Sequence, residues 1–146
     1  MATKSLSCRP SAAAEAVLVT PEALSLDAAL LRFESPEDGA VSAFLGVVRD
    51  REDGRPIRAI HYQAYEAMAA KELAKIAAEA RASWKVSVVI FHRTGRVAVA
   101  EPSLIVAVRG KHRREAFEAV EFVVEQVKQR ATIWKVDYEW ADGGAW

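Results

Sequence analysis

The sequence predicts an α+β domain whose sheet is mostly antiparallel and packed with helices. Three observations carry that expectation. Six runs of strand length are set apart by helical stretches or by Gly, Pro and Asp turn signals. Two long stretches carry apolar residues at helical rather than alternating spacing. The resulting order is strand, helix, two strands, helix, two strands, helix, strand. It mixes hairpins with helices, whereas a parallel sheet needs regular alternation of strand and helix.

Taken in order, the chain begins with an Ala-rich polar leader, residues 1–15, which reads as flexible. AVLVT (16–20) is a short strand, and SLDAALLRFE (25–34) a helix capped by Ser25. PEDG turns the chain into AVSAFLGVV (40–48), an apolar strand. RDREDGRP is a charged loop with an Asp53-Gly54 turn signal, followed by the alternating strand IRAIHYQAY (57–65). The spacing predicts a long, mobile hairpin pairing the strands on either side of that loop. Residues 66–84 form an Ala-rich helix with Met68, Leu73, Ile76 and Ala80 on one face. KVSVVIFHRTG is a strand that ends in a turn at Gly95, and PSLIVAVRG is another that ends at Gly110. The helix over 112–130 has Phe117, Val120, Val124 and Val127 as its expected buried face. IWKVDYEW is the last strand, before the small-residue tail ADGGAW. With 146 residues and neither repeat nor linker, one domain over 16–146 is expected.

Composition narrows the function. Lys+Arg and Asp+Glu are both 20, so the formal net charge is +0, which disfavours general nucleic-acid or membrane-surface binding. Any anion site must then be a local cluster. The single cysteine, Cys8, rules out an intrachain disulfide and fits a reducing, cytoplasmic setting. The leader carries Lys4 and Arg9 and no acid before Glu15, which faintly resembles a transit peptide. The three histidines, His61, His92 and His112, have no ligand spacing with Cys or with each other, so no metal site is expected. There is no nucleophile elbow and no phosphate-cradling glycine loop.

Basic residues at element ends remain. Arg49 closes an apolar strand, and His112-Arg113 open a helix, where free N–H groups and the dipole favour an anion. Cations there work against the helix itself, so they point to a bound anion or else to a solvated basic turn. Lys128 falls beside the apolar stripe of its helix, four residues after Val124. Lys135 follows Trp134 in a strand, so the two side chains face opposite ways; with Trp134 in the core, Lys135 faces a cleft or an interface. Each lysine alone is accounted for by snorkelling. Together with Arg49 and His112-Arg113 they compose a pocket for a phosphorylated substrate, in which a desolvated lysine can transfer a proton.

The stretches GAVSAFLGVVRD, HYQAYEAMA, VVIFHRTGRVAVAE, KHRREAFEA and KQRATIWK, in that order over about residues 39 to 146, resemble the catalytic (large) subunit of molybdopterin synthase, the MoaE family. The resemblance implies an α/β hammerhead-like fold. It implies a sulfurtransferase that converts cyclic pyranopterin monophosphate to molybdopterin, with two sulfurs taken from a thiocarboxylate on the C-terminal Gly-Gly of a small ubiquitin-like sulfur-carrier subunit. It also implies a homodimer that forms a heterotetramer with that partner, pockets drawing on both large subunits, and no resident cofactor, nucleic acid or membrane. By matching position, Arg49, His112, Arg113, Lys128 and Lys135 bind the substrate, and Lys128, with Lys135, is catalytic. Val47, Val48, Val136 and Asp137 form pocket walls through their backbone. Thr132 stands where the family usually has proline, Gln63 where it often has Glu, and Asp137 where it often has Glu; none removes a proposed catalytic group. A non-catalytic α+β scaffold, and a degenerate paralogue that binds the small subunit without turnover, stand as alternatives.

Overall fold

A computed structural model describes residues 17–32 and 35–142; the leader with Cys8 and the Gly143-Gly144 tail lie outside these. The elements run β1 (Val17–Thr20), α1 (Leu26–Leu30), β2 (Ala40–Val47), β3 (Arg51–Glu52), β4 (Arg55–Ala64), α2 (Glu66–Trp84), β5 (Ser87–Arg93), β6 (Gly95–Ala98), β7 (Pro102–Gly110), α3 (Arg113–Arg130) and β8 (Ile133–Trp140). Ser25 caps α1, its side chain accepting from the Ala28 N–H at 3.1 Å.

Two sheets form, and all but one of their pairings are antiparallel. The first has the order β1-β5-β7-β2, with β1 parallel to β5. Its strands are apolar on both faces. Val88, Ile90, Val106 and Val108 meet Leu73, Ile76 and Ala80 of α2 and Ala116, Ala119 and Val123 of α3 in the main core. Val89, Phe91, Ile105 and Ala107 turn the other way, under Ala29, Leu26 and Leu30 of α1. The second sheet centres on β4, with β6 on one side and β8 on the other, around Val48, Ile57, Ile60 and Val97.

The expected hairpin between β2 and β4 does not form. β2 pairs with β7, in the register Ala43↔Ala107 and Leu45↔Ile105, while β4 is flanked by β6 and β8. The buried residues of β4 require neighbours on both sides, and these come from distant parts of the chain. The charged loop instead closes on itself as the β3–β4 hairpin, through a two-residue Asp53-Gly54 turn. Both turn residues have positive φ (52° and 78°), the geometry that matches strand twist. β5 ends at Arg93, before the turn expected at Gly95 (φ 79°), and the chain continues from that glycine into the unanticipated β6. From β6, Arg96 grips Glu139 of β8 across β4 with two bonds of 2.9 Å, holding that carboxyl near a pKa of about 2.

The buried stripe of α3 keeps Val127, with Val120 and Val124 packed beside it, but not the expected Phe117. Ala116, Ala119, Val123 and Val127 are buried, whereas Phe117 is 59% exposed. Phe117 sits one position off that stripe and faces outward. Met68 is likewise exposed while Ala69 takes the buried position on α2. The two faces of α3 should respond oppositely to substitution. Phe117→Ala should change stability by no more than about 0.5 kcal/mol, whereas Ala119→Leu should cost about 1–3 kcal/mol through overpacking, both read by denaturant unfolding.

Candidate functional site

The last turn of α3 carries Val127 into the core and leaves Lys128 exposed beside it. Ala131 then leaves the helix in an extended conformation (φ −69°, ψ 138°), and the chain reverses into β8 along β4. This reversal sets Lys128 and Lys135 on two sides of one space. Lys135 lies opposite Tyr62 of β4. Trp134 faces away from Lys135, as strand alternation requires, but it is not in the core. It is 47% exposed and rests edge-on against Tyr65, at 5.8 Å between ring centroids.

The third side comes from the end of β2. The ladder with β7 breaks register between Gly46 and Val47, after which Arg49 emerges. A cleft of about 510 Å³ results, lined by Arg49, Lys128 and Lys135, by Val47, and by the ends of β5, β7 and α3. Among the described residues, no Asp or Glu lines it. Three cations without a local carboxylate are a standing attraction for a polyanion.

The floor holds polar groups that sequence reasoning missed. Among the described residues the buried polar side chains are His92, Thr94 and Ser103, and two of these line the cleft. Tyr62 Oη donates to Ser103 Oγ at 3.4 Å, and Ser103 Oγ donates to the Gly46 carbonyl at 3.3 Å. The His92 ring meets the Tyr62 ring edge-on at 5.6 Å, and its Nδ1 donates to the Arg93 carbonyl at 2.9 Å. Burial pushes the His92 imidazole below its ordinary value; the bond to Arg93 opposes this and the charge of Lys128 adds to it. One signal for His92 was available in the sequence: it falls on the same strand face as Val88 and Ile90, where a core residue is expected.

Several anticipated residues lie elsewhere. Val48 is buried in the second sheet's core, and its N–H and carbonyl are taken by Glu101 and Ala100, so it offers no backbone to the cleft. Val136 is exposed outside the cleft, and Asp137 accepts from the Tyr138 N–H at 3.1 Å. His112 and Arg113 open α3, fifteen residues before Lys128, hence about 22 Å from it along the axis. Arg113 forms no ion pair with any described residue. The lysines are also exposed rather than desolvated, so water exclusion must come from whatever fills the cleft.

The MoaE protein family model matches residues 19–130. The chain is 39% identical over 129 residues to a molybdopterin synthase catalytic subunit of a Nostoc species, covering 87% of this chain and 78% of that protein. Its fold is similar to molybdopterin cofactor biosynthesis protein E from Burkholderia multivorans (TM-score 0.76, 37% identity, 86% and 89% of the two chains). It is also similar to a chain in the complex of subunits 1 and 2 of molybdopterin-converting factor from Helicobacter pylori (TM-score 0.71, 25% identity, 89% and 92%).

The electrostatics of the floor can be checked directly. His92 should titrate below the ordinary imidazole value of 6.5, and Lys128→Ala should move that midpoint upward, as read by NMR of the imidazole. The sign for stability follows. As pH falls below 6.5 the unfolded chain takes up a proton that the folded one resists, so this group lowers stability until its folded midpoint is passed.

Proposed function

Because the chain belongs to the MoaE family, we propose that it works as the catalytic subunit of a molybdopterin synthase, a sulfurtransferase of molybdenum cofactor biosynthesis. It converts cyclic pyranopterin monophosphate to molybdopterin, taking two sulfurs from the thiocarboxylated Gly-Gly terminus of a small ubiquitin-like subunit. The observation that carries this reading is the convergence of Arg49, from the end of β2, with Lys128 and Lys135, from either side of the reversal between α3 and β8, on one cleft without a carboxylate. The planar fork of Arg49 suits a phosphate bidentately, while the two lysines offer point charges and exchangeable protons. Lys128, projecting from a helix end fixed by packing, is the leading catalytic group. A tail ending in Gly-Gly has no side chains to clash in the cleft. Its entry would displace water and strengthen the charges around it.

The separation between Lys128 and His112-Arg113 defines how these residues take part. A neighbouring protomer supplies them, with the start of its α3 presenting free N–H groups and two basic side chains to the phosphorylated substrate. The homodimer this requires has a candidate surface on β8, an edge strand with Trp134 and Val136 both about half exposed. Trp140 is not available for it, because Arg55 stacks on its ring at 3.9 Å. Each dimer then takes two small subunits.

Mixing the purified chain with a thiocarboxylated small subunit and cyclic pyranopterin monophosphate, and assaying molybdopterin, tests the function itself; no product would refute it. Within that assay Lys128→Ala should lower single-turnover rate by about 10²–10⁴-fold with an unchanged circular dichroism spectrum. Lys128→Arg should not restore it, since arginine keeps its proton. Sharing of the site is checked by mixing subunits. Arg113→Ala and Lys128→Ala proteins, each impaired alone, should regain activity when exchanged into mixed dimers, because one site of each then holds both native residues. No recovery in dimers shown to have exchanged would place Arg113 outside the shared site.

A further inference from the structure

The cations of the cleft are donors only, and a ligand held by them must bring acceptors. The cyclic pterin phosphate of the proposed reaction also carries N–H and O–H donors, which need acceptors of their own. Among the side chains lining the cleft, Arg49, Lys128 and Lys135 cannot accept. Tyr62 and Ser103 direct their hydroxyl protons along the chain of bonds that ends on the Gly46 carbonyl, which leaves only hydroxyl lone pairs, weaker acceptors than an imidazole nitrogen. His92 is different. Its Nδ1 faces a carbonyl, which can only accept, so the proton of the neutral ring sits on Nδ1 and Nε2 carries the lone pair. Nε2 has no partner among the described residues, although His92 is only 8% exposed. Nor is it one of the atoms sealed from solvent without a bond, so its open side is the cleft that His92 lines.

We propose that His92 is a specificity-determining residue of this site, its Nε2 accepting a hydrogen bond from an N–H or O–H of the pterin while the cations hold the phosphate. Packing alone does not account for a histidine here. Val88 and Ile90 fill the same strand face with aliphatic side chains, whereas His92 ends that face with a ring whose free nitrogen opens on the cleft. The ring is held for the task. The Arg93 carbonyl fixes its tautomer, and the Tyr62 edge, inclined at 68°, limits its rotation. Burial also keeps the ring neutral and therefore accepting.

The inference rests on the function proposed above, and the test separates the two. Binding of cyclic pyranopterin monophosphate and of inorganic phosphate is measured by calorimetry for the wild-type dimer, His92→Phe and His92→Gln. His92→Phe keeps a flat ring without the acceptor, and His92→Gln restores an accepting oxygen. The pterin phosphate should bind roughly tenfold to a hundredfold more weakly to His92→Phe, inorganic phosphate should bind it as it binds wild type, and His92→Gln should recover most of the loss. In turnover the loss should appear mainly in KM. Should His92→Phe not fold, ¹⁵N NMR of the wild type decides: the Nε2 resonance should move toward the hydrogen-bonded position with the pterin phosphate and stay in place with inorganic phosphate. Unchanged pterin affinity in His92→Phe, an equal loss for both ligands, or an unmoved Nε2 resonance would overturn the role of His92. Failure of the wild type to bind the pterin phosphate would instead overturn the function on which it rests.

Discussion

The position of α3 governs the site. A stripe of Ala116, Ala119, Val123 and Val127 seats the helix on the first sheet, with Val120, Phe122 and Val124 packed along its margins. Its far end is tied to α2 by Arg130, whose guanidinium reaches Glu72 at 2.8 Å and both oxygens of Glu79 at 2.8 and 2.9 Å. Those bonds hold Arg130 firmly protonated and keep the Glu79 carboxyl below its usual range. The clamp lies two residues beyond Lys128. Where α3 ends therefore decides where Lys128 stands, and the reversal that follows decides where β8 carries Lys135.

The cleft combines charges left in solvent with neutral polar groups taken out of it. Arg49, Lys128 and Lys135 are exposed, so the chain bears little desolvation cost for them before a ligand arrives. His92 and Ser103 are buried, and each is compensated by a backbone carbonyl, of Arg93 and of Gly46. A phosphorylated ligand, as proposed, would neutralise the cations, and an incoming peptide tail would complete the exclusion of water that the open cleft lacks. The charges then act at full strength only in the assembled complex.

The geometry of α3 also bears on assembly. A helix of eighteen residues holds a basic N-terminal end and a basic C-terminal end too far apart to serve one substrate within one chain. The proposed dimer would resolve this by joining the start of one α3 to the end of another. Catalysis and oligomerisation would then be one property, and an exposed edge strand such as β8 would have a reason to stay uncovered.

Local chemistry determined much of this protein from the sequence. Helical spacing located α2 at 66–84, and the strand-length run IWKVDYEW located β8 at 133–140, as the structure has them, because residue patterning reports which residues leave water together. The motif resemblance identified Arg49, Lys128 and Lys135, which the fold brings to one cleft. The tertiary structure alone decided the rest. Whether β2 paired with β4 or with β7 depended on long-range contacts that no local pattern encodes. Phe117 and Val120 look equally apolar in sequence, and only the seating of α3 turns Val120 toward the core and Phe117 away from it. His112-Arg113 and Lys128 read as one cluster until the rise of a helix separates them. Tyr62, His92 and Ser103 resembled ordinary strand residues until three strand ends met beneath Lys128. A site made of side chains from distant segments is fixed by where those segments pack, and packing is a property of the folded chain as a whole.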